Sequence, residues 1–189
     1  MKRRTFLGLA AVPLFNIGNA ALAGAVSAGR KIRLGLIGCG GRMGLSTRYG
    51  ILNGFCDDCE IVCMAEPDPT RWDKIRAVVK AHQPATDVSK IATFYDYREM
   101  LEKLGGSLDA VAIATPNHHH ASAALLAMRK GLHVYVEKPM ALTVAEVKLM
   151  RAAARKYGVI GQVGNHGHSE EGMRRLVEYI RAGAIGQVR

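Results

Sequence analysis

The sequence predicts an α/β fold, a doubly wound parallel sheet with helices on both faces. Short apolar runs alternate with amphipathic stretches of helical length, and connections of that length join parallel strands by right-handed crossovers. Polar segments rich in glycine and proline close the apolar runs at their carboxyl ends, where such sheets bind ligands. The 189 residues are 49% hydrophobic and 22% charged with mean hydropathy near zero. That composition belongs to an ordinary globular chain and excludes collagen, a disulfide miniprotein, a disordered tail and a polytopic membrane protein.

Residues 1–28 stand outside this alternation. Lys2, Arg3 and Arg4 precede Thr5-Phe6-Leu7, an apolar stretch follows to Phe15, and small residues continue through Ala28. This layout is that of a bacterial export signal, and the arginine pair before Phe-Leu resembles the Tat type. Pro13, Asn16, Gly18 and Asn19 interrupt the stretch, which falls short of the ~20 apolar residues that span a bilayer. The expectation is export by the Tat translocase to the periplasm with the signal cleaved. A membrane anchor is the alternative if it is not. The Tat route carries folded proteins and suits one that acquires a cytoplasmic cofactor before leaving.

The alternation begins at Lys31. Residues 32–37 and 60–65 are apolar strand runs, and 71–82 forms a helix. Residues 91–94 make a weaker strand, 97–104 a helix, 110–114 a strand, and a further helix runs to Lys130. Residues 132–136 and 159–163 supply the last two strands. Between them, Thr143 with Glu146 three residues on is a capping box; Val144, Val147 and Met150 begin the apolar face of that helix, and Gly158 closes it. Ser169 is the expected cap of a final helix in which Met173, Leu176, Val177 and Ile180 repeat at helical spacing and Gly183 ends the pattern.

The strand ends carry the chemistry. After the first strand, Gly38 and Gly40 permit a tight turn and close backbone approach. Amides of Gly41, Arg42 and Met43 at the following helix start can then hold a pyrophosphate. Met43 occupies the third glycine position, with Gly44 one place late. Glu66 closes the second strand 26 residues after Gly40, placed to accept hydrogen bonds from adenosine ribose hydroxyls; this favours NAD, with NADP the alternative if Arg42 receives a 2′-phosphate. The fourth strand ends in Thr115-Pro116-Asn117-His118-His119-His120, a wall for the nicotinamide side. No metal site is expected there, because consecutive side chains diverge and no nearby carboxylate completes a set. Glu137-Lys138-Pro139 closes the fifth strand; a lysine there suits hydrogen bonding to a substrate hydroxyl and helping its proton leave.

Charge and cysteines narrow the classes further. The net charge is +10, and 11 basic against 5 acidic residues fall from Arg129 onward. They spread over helix faces without interleaved aromatics, so no nucleic-acid partner is expected. Cys56 and Cys59 form a CxxC without the second pair that a closed zinc site needs. Cys39 and Cys63 are expected to pack.

Residues 35–42, 114–120, 131–143 and 164–169 together resemble the Gfo/Idh/MocA oxidoreductases, the family of glucose/fructose oxidoreductase and inositol dehydrogenase. The resemblance implies an N-terminal NAD(P)-binding Rossmann domain, here 29–166, and a C-terminal α/β domain that is essentially missing, with 167–189 as its start. It implies hydride transfer between a nicotinamide cofactor and a sugar, cyclitol or related polyol. Carried onto this chain, it places Gly38, Gly40 and Arg42 on the cofactor phosphates and Glu66 on the ribose. Thr115, Pro116, Asn117 and His120 line the nicotinamide side. Lys138 touches both nicotinamide ribose and substrate, with Glu137 orienting its loop, and Asn165 and His168 stand at the pocket edge. The family's general-base histidine comes from the C-terminal domain, so the resemblance assigns that role to none of the histidines here. Turnover by these 189 residues alone is therefore expected to be absent or very low. Homo-oligomerisation is open to a chain supplied with that domain. The alternative readings are an NAD-dependent glycosidase of the same family and a non-catalytic nucleotide-binding module.

Overall fold

The structure, a computed structural model, describes residues 30–44, 50–55 and 58–187. The expected export segment and Cys56 of the CxxC lie outside the described residues. Six strands form one sheet: β1 (Ile32–Ile37), β2 (Cys59–Ala65), β3 (Ala92–Phe94), β4 (Ala110–Ile113), β5 (His133–Glu137) and β6 (Gly161–Gly164). They lie in the order β3-β2-β1-β4-β5-β6, with every neighbouring pair parallel. The order reverses between β1 and β4, so their carboxyl ends diverge into a crevice.

Period-2 alternation assigns the strand side chains to two cores. Leu34, Leu36, Ile61, Met64 and Ala112 face α1 (Gly41–Gly44), α2 (Ile51–Phe55) and α3 (Trp72–His82) through Met43, Leu52, Ile75 and Val79. Ile37, Cys63, Val111, Ile113, Val134 and Val136 face α4 (Tyr97–Leu104), α5 (His120–Arg129) and α6 (Val144–Tyr157). The β1–β2 register shifts between Leu34 and Gly35, which places Val62 and Cys63 together on the second core, as a bulge does. Burial pushes the Cys63 thiol up to about 12, and Cys39 is likewise buried and raised. Neither thiol is poised for chemistry.

The capping box at Thr143 and Glu146 is formed: the threonine hydroxyl accepts from the Glu146 amide at 3.2 Å and the Thr143 amide donates to the Glu146 carboxylate at 2.9 Å. Gly158 closes α6 at φ +65°. The buried stripe of α6 is Met150 and Ala154, however, and Val144 in its first turn is exposed. The last helix, α7 (Glu171–Arg181), is capped at Glu170 without a side-chain bond, one residue after the expected Ser169. It buries no residue, and Met173, Leu176, Val177 and Ile180 lie exposed. Among the described residues no helix is long and apolar enough to cross a membrane.

Candidate active site

The turn after β1 is built around Gly38, whose φ is +79°. Its amide donates to Ala65 O at 2.9 Å, and a Cβ there would lie 2.8 Å from Thr115 N and 2.9 Å from Ala114 C and O. Glycine is thus required twice, by the dihedral and by the packing of β1 against β4. Gly40 and Gly41 differ, since a Cβ on either would meet nothing within 4 Å. Their backbone lies open, as phosphate approach demands. Gly44, one place late, takes over the packing task of a third glycine: a Cβ there would stand 3.0 Å from Ile75 Cδ1. Met43 turns its side chain wholly into the core, leaving its backbone as the part that can serve a cofactor.

Glu66 has a second task that sequence reasoning did not find. Its carboxylate accepts from Cys39 N at 2.7 Å and Asp68 N at 3.1 Å, tying the glycine turn to the end of β2. It also lines a cavity of about 440 Å³ with Gly38, Pro67, Tyr95, Tyr97 and Arg98. Arg42 is not beside it. The Arg42 guanidinium stands 3.3 Å from Glu137 and lines the pockets around Lys138, so the reading in which Arg42 receives a 2′-phosphate next to Glu66 has no support in its placement. The arginine in the Glu66 cavity is Arg98, held by Asp96 at 2.7 Å.

A pocket of about 290 Å³ joins Arg42, Thr115, Asn117, His120, Glu137 and Lys138. Thr115 Oγ1 is buried there without a protein partner, a state that costs ~1–3 kcal/mol unless a water or a ligand group supplies the bond. His120 is buried, with Nδ1 2.6 Å from Pro139 O and Nε2 2.9 Å from Thr115 O. It therefore braces the β4 and β5 ends against each other, while His118 and His119 lie exposed. Pro116 is exposed at the rim of the larger cavity. Among the described residues no three His, Cys, Asp or Glu side chains gather to hold a metal.

Lys138, Asn165 and His168 share a further pocket of about 320 Å³ with Arg42 and His166. Glu137 lies beneath it, only 4% exposed. Its Oε1 receives His166 Nε2 at 2.7 Å and the Tyr135 hydroxyl at 3.1 Å, and Oε2 receives Arg42 Nε at 3.3 Å. Burial works to raise the Glu137 carboxyl, but the His166 hydrogen bond, the charge of Arg42 and the Tyr135 hydroxyl outweigh it and hold the group below its ordinary value. Tyr135 is raised by burial and by the adjacent carboxylate. Gly164 makes the cluster fit, since a Cβ there would collide with the Tyr135 hydroxyl and lie 2.5 Å from Glu137 Oε1. Tyr135 and His166 were not singled out from the sequence. The signal was present: Tyr135 and Glu137 share a strand face, and Glu137 pairs in register with Gly164, two residues before His166.

Comparisons with known proteins agree with this fold. The model of an oxidoreductase family with an NAD-binding Rossmann fold matches residues 32–165. A 1-carboxy-3-chloro-3,4-dihydroxycyclohexa-1,5-diene dehydrogenase of Comamonas testosteroni is 30% identical over 161 residues, 84% of this chain and 36% of its own length. The scyllo-inositol 2-dehydrogenase (NAD(+)) of Bacillus subtilis is 28% identical over 83% of this chain and 42% of its own length. Among solved structures, the WlbA dehydrogenase of Bordetella pertussis in complex with NADH and UDP-GlcNAcA superposes with a TM-score of 0.64 at 29% identity, over 84% of this chain and 44% of its own. The chain thus spans less than half the length of each.

Proposed function

Because this chain belongs to the Gfo/Idh/MocA oxidoreductase family, we propose that it binds NAD in the crevice between β1 and β4 and serves hydride transfer at a sugar, cyclitol or related polyol. The observation that carries the reading is the gathering at the strand ends of open glycine backbone, the Glu66 carboxylate lining the adjoining cavity and a buried, unpartnered hydroxyl. The backbone amides of Gly40, Gly41 and Arg42 would hold the phosphates, Glu66 the adenosine ribose, and Thr115, Asn117 and Lys138 the nicotinamide half. NAD supplies the hydride acceptor. The chain positions the hydroxyl at Lys138 and holds that loop through Glu137 and His120. Glu66 favours NAD over NADP, because its charge opposes a 2′-phosphate. Calorimetric titration with both dinucleotides tests this: NAD is expected to bind one per chain and more tightly than NADP. Failure of both to bind would refute it.

The arginine pair and apolar stretch of residues 1–28 support export by the Tat route to the periplasm. Replacing Arg3 and Arg4 by lysine is expected to retain the protein in the cytoplasm; unchanged export of that variant would remove the Tat assignment.

A further inference from the structure

We infer that the buried carboxylate of Glu137 links the phosphate site to the turn after β6, so that a dinucleotide seated on the glycine turn orders the substrate-side rim of the pocket. The inference rests on the dinucleotide-binding reading above and goes beyond it by giving Arg42, Glu137 and His166 a shared task. They are positioning residues, and no proton transfer is assigned to them.

Three segments meet at this carboxylate. Arg42 belongs to the short helix of the glycine turn, where the next residue, Met43, is fully buried and holds the turn to the core. The Arg42 side chain leaves that turn and sets Nε 3.3 Å from Glu137 Oε2. His166 opens the turn after β6 (His166–Ser169) and sets Nε2 2.7 Å from Oε1, where the Tyr135 hydroxyl also donates at 3.1 Å. The Glu137 side chain is 5% exposed, against 33% for Arg42 and 32% for His166. A carboxylate so enclosed has little water to replace a lost partner, so its donors are held as a set. Gly164 removes the slack, since its backbone closes on Tyr135 and Glu137 where no Cβ would fit.

The two ends of this link belong to the two halves of the site. In the proposed binding mode Arg42 offers its backbone amide to a phosphate, while its guanidinium stays with Glu137. At the other end Asn165 and His168 lie on either side of His166 in sequence and line the pocket of about 320 Å³ that also contains Lys138. The Arg42 contact is the longest of the three, and it is the joint that a phosphate on the glycine turn would fix. Fixing it removes freedom from Glu137 and, through Glu137, from the β6 turn. A second ligand then meets a rim already ordered. By linkage the effect is reciprocal, and the factor by which the nucleotide favours the ordered turn is the factor by which the ordered turn favours the nucleotide.

Hydrogen exchange of the full chain, followed by mass spectrometry with ADP as the probe, separates this link from direct contact, because ADP carries both phosphates and lacks the nicotinamide half. ADP is expected to slow exchange at residues 38–44 and also at 164–169. Slowing at 38–44 alone would overturn the inference and leave the nucleotide reading standing. No slowing at 38–44 would overturn both. In Arg42→Met the backbone amides still meet the phosphates, so the slowing is expected to persist at 38–44 and to vanish at 164–169; equal slowing at 164–169 in both chains would overturn the link. Calorimetric titration with ADP gives a second readout. The hydrogen-bond partners of His166 among the described residues are Glu137 and Tyr135, yet His166→Ala is expected to weaken ADP binding roughly fivefold, the lower end of coupling between sites. In the Arg42→Met background the same substitution is expected to change nothing. His166→Gln keeps a donor for Glu137 and is expected to bind ADP as the wild type does. A loss of the same size in both backgrounds, or no loss in either, would overturn the inference. The exchange experiment on the wild-type chain decides the matter even where a variant fails to fold.

Discussion

Replacing Gly38 and Gly40 separately by alanine divides the glycine turn into a structural half and a ligand-facing half. At Gly38 the new Cβ meets two penalties. The left-handed dihedral of +79° costs a residue with a Cβ ~1–2 kcal/mol. Contacts of 2.8–2.9 Å to the backbone of Ala114 and Thr115 fall far inside the ~3.5–4.0 Å optimum. Those atoms cannot yield cheaply, because the Ala114 amide is bound to Ile37 O at 2.9 Å, so overpacking adds ~1–3 kcal/mol. The sum, ~2–5 kcal/mol, amounts to a fall in Tm of roughly 4–20 °C for a chain of this size. Gly40→Ala meets neither penalty, and its stability is expected to stay within about 1 kcal/mol of wild type. Its methyl group instead occupies the open face offered to a phosphate, and NAD affinity should fall at least about tenfold, ~1.4 kcal/mol. Thermal unfolding without ligand and calorimetric titration with NAD separate the two effects. A Gly38→Ala chain as stable as wild type, or a Gly40→Ala chain that loses stability and keeps its affinity, would contradict this division of the turn.

Thr115→Val removes the unpartnered buried hydroxyl; the ligand-free chain is expected to gain about 1 kcal/mol in denaturant unfolding while NAD affinity weakens. Glu137→Gln exchanges three charge-assisted hydrogen bonds for weaker ones and should cost about 2 kcal/mol at pH 7. The Glu137 carboxyl is depressed in the folded chain, so its contribution is fully present above the ordinary carboxylate range near ~4.3. It is lost as pH falls through the folded value. The gap between wild type and Glu137→Gln in denaturant unfolding should accordingly narrow on acidification, and a constant gap would contradict the pairing. Gly164→Ala forces a Cβ against Tyr135 and Glu137 and should cost ~1–3 kcal/mol, seen in thermal unfolding.

The order of strands and helices was legible because hydrophobic period and punctuation agree along most of the chain. The capping box at Thr143 and the closing glycine at Gly158 mark α6 to the residue. Burial was less legible: Val144 fits the helical period yet is exposed, because period says which residues share a face and not how far the neighbouring layer extends. The site residues divide in the same way. Gly38, Glu66, Thr115 and Lys138 stand at strand ends and are visible from position alone. The cluster of Tyr135, Glu137, Arg42 and His166 joins four separate segments by side-chain contacts, and those depend on the β5–β6 register and on the missing Cβ of Gly164. Arg42 shows the same limit. Its place in the glycine turn suggests a phosphate, whereas the reach of its side chain brings it to Glu137.

In the proposed binding mode the crevice at the switch point between β1 and β4 holds a dinucleotide in one direction. A crystal structure of the chain grown with NAD tests it most directly. The expected density places the phosphates against Gly40, Gly41 and Arg42, the adenosine ribose on Glu66, and the nicotinamide between Thr115 and Lys138. A dinucleotide bound away from these residues, or lying in the reverse direction across them, would rule out this binding mode.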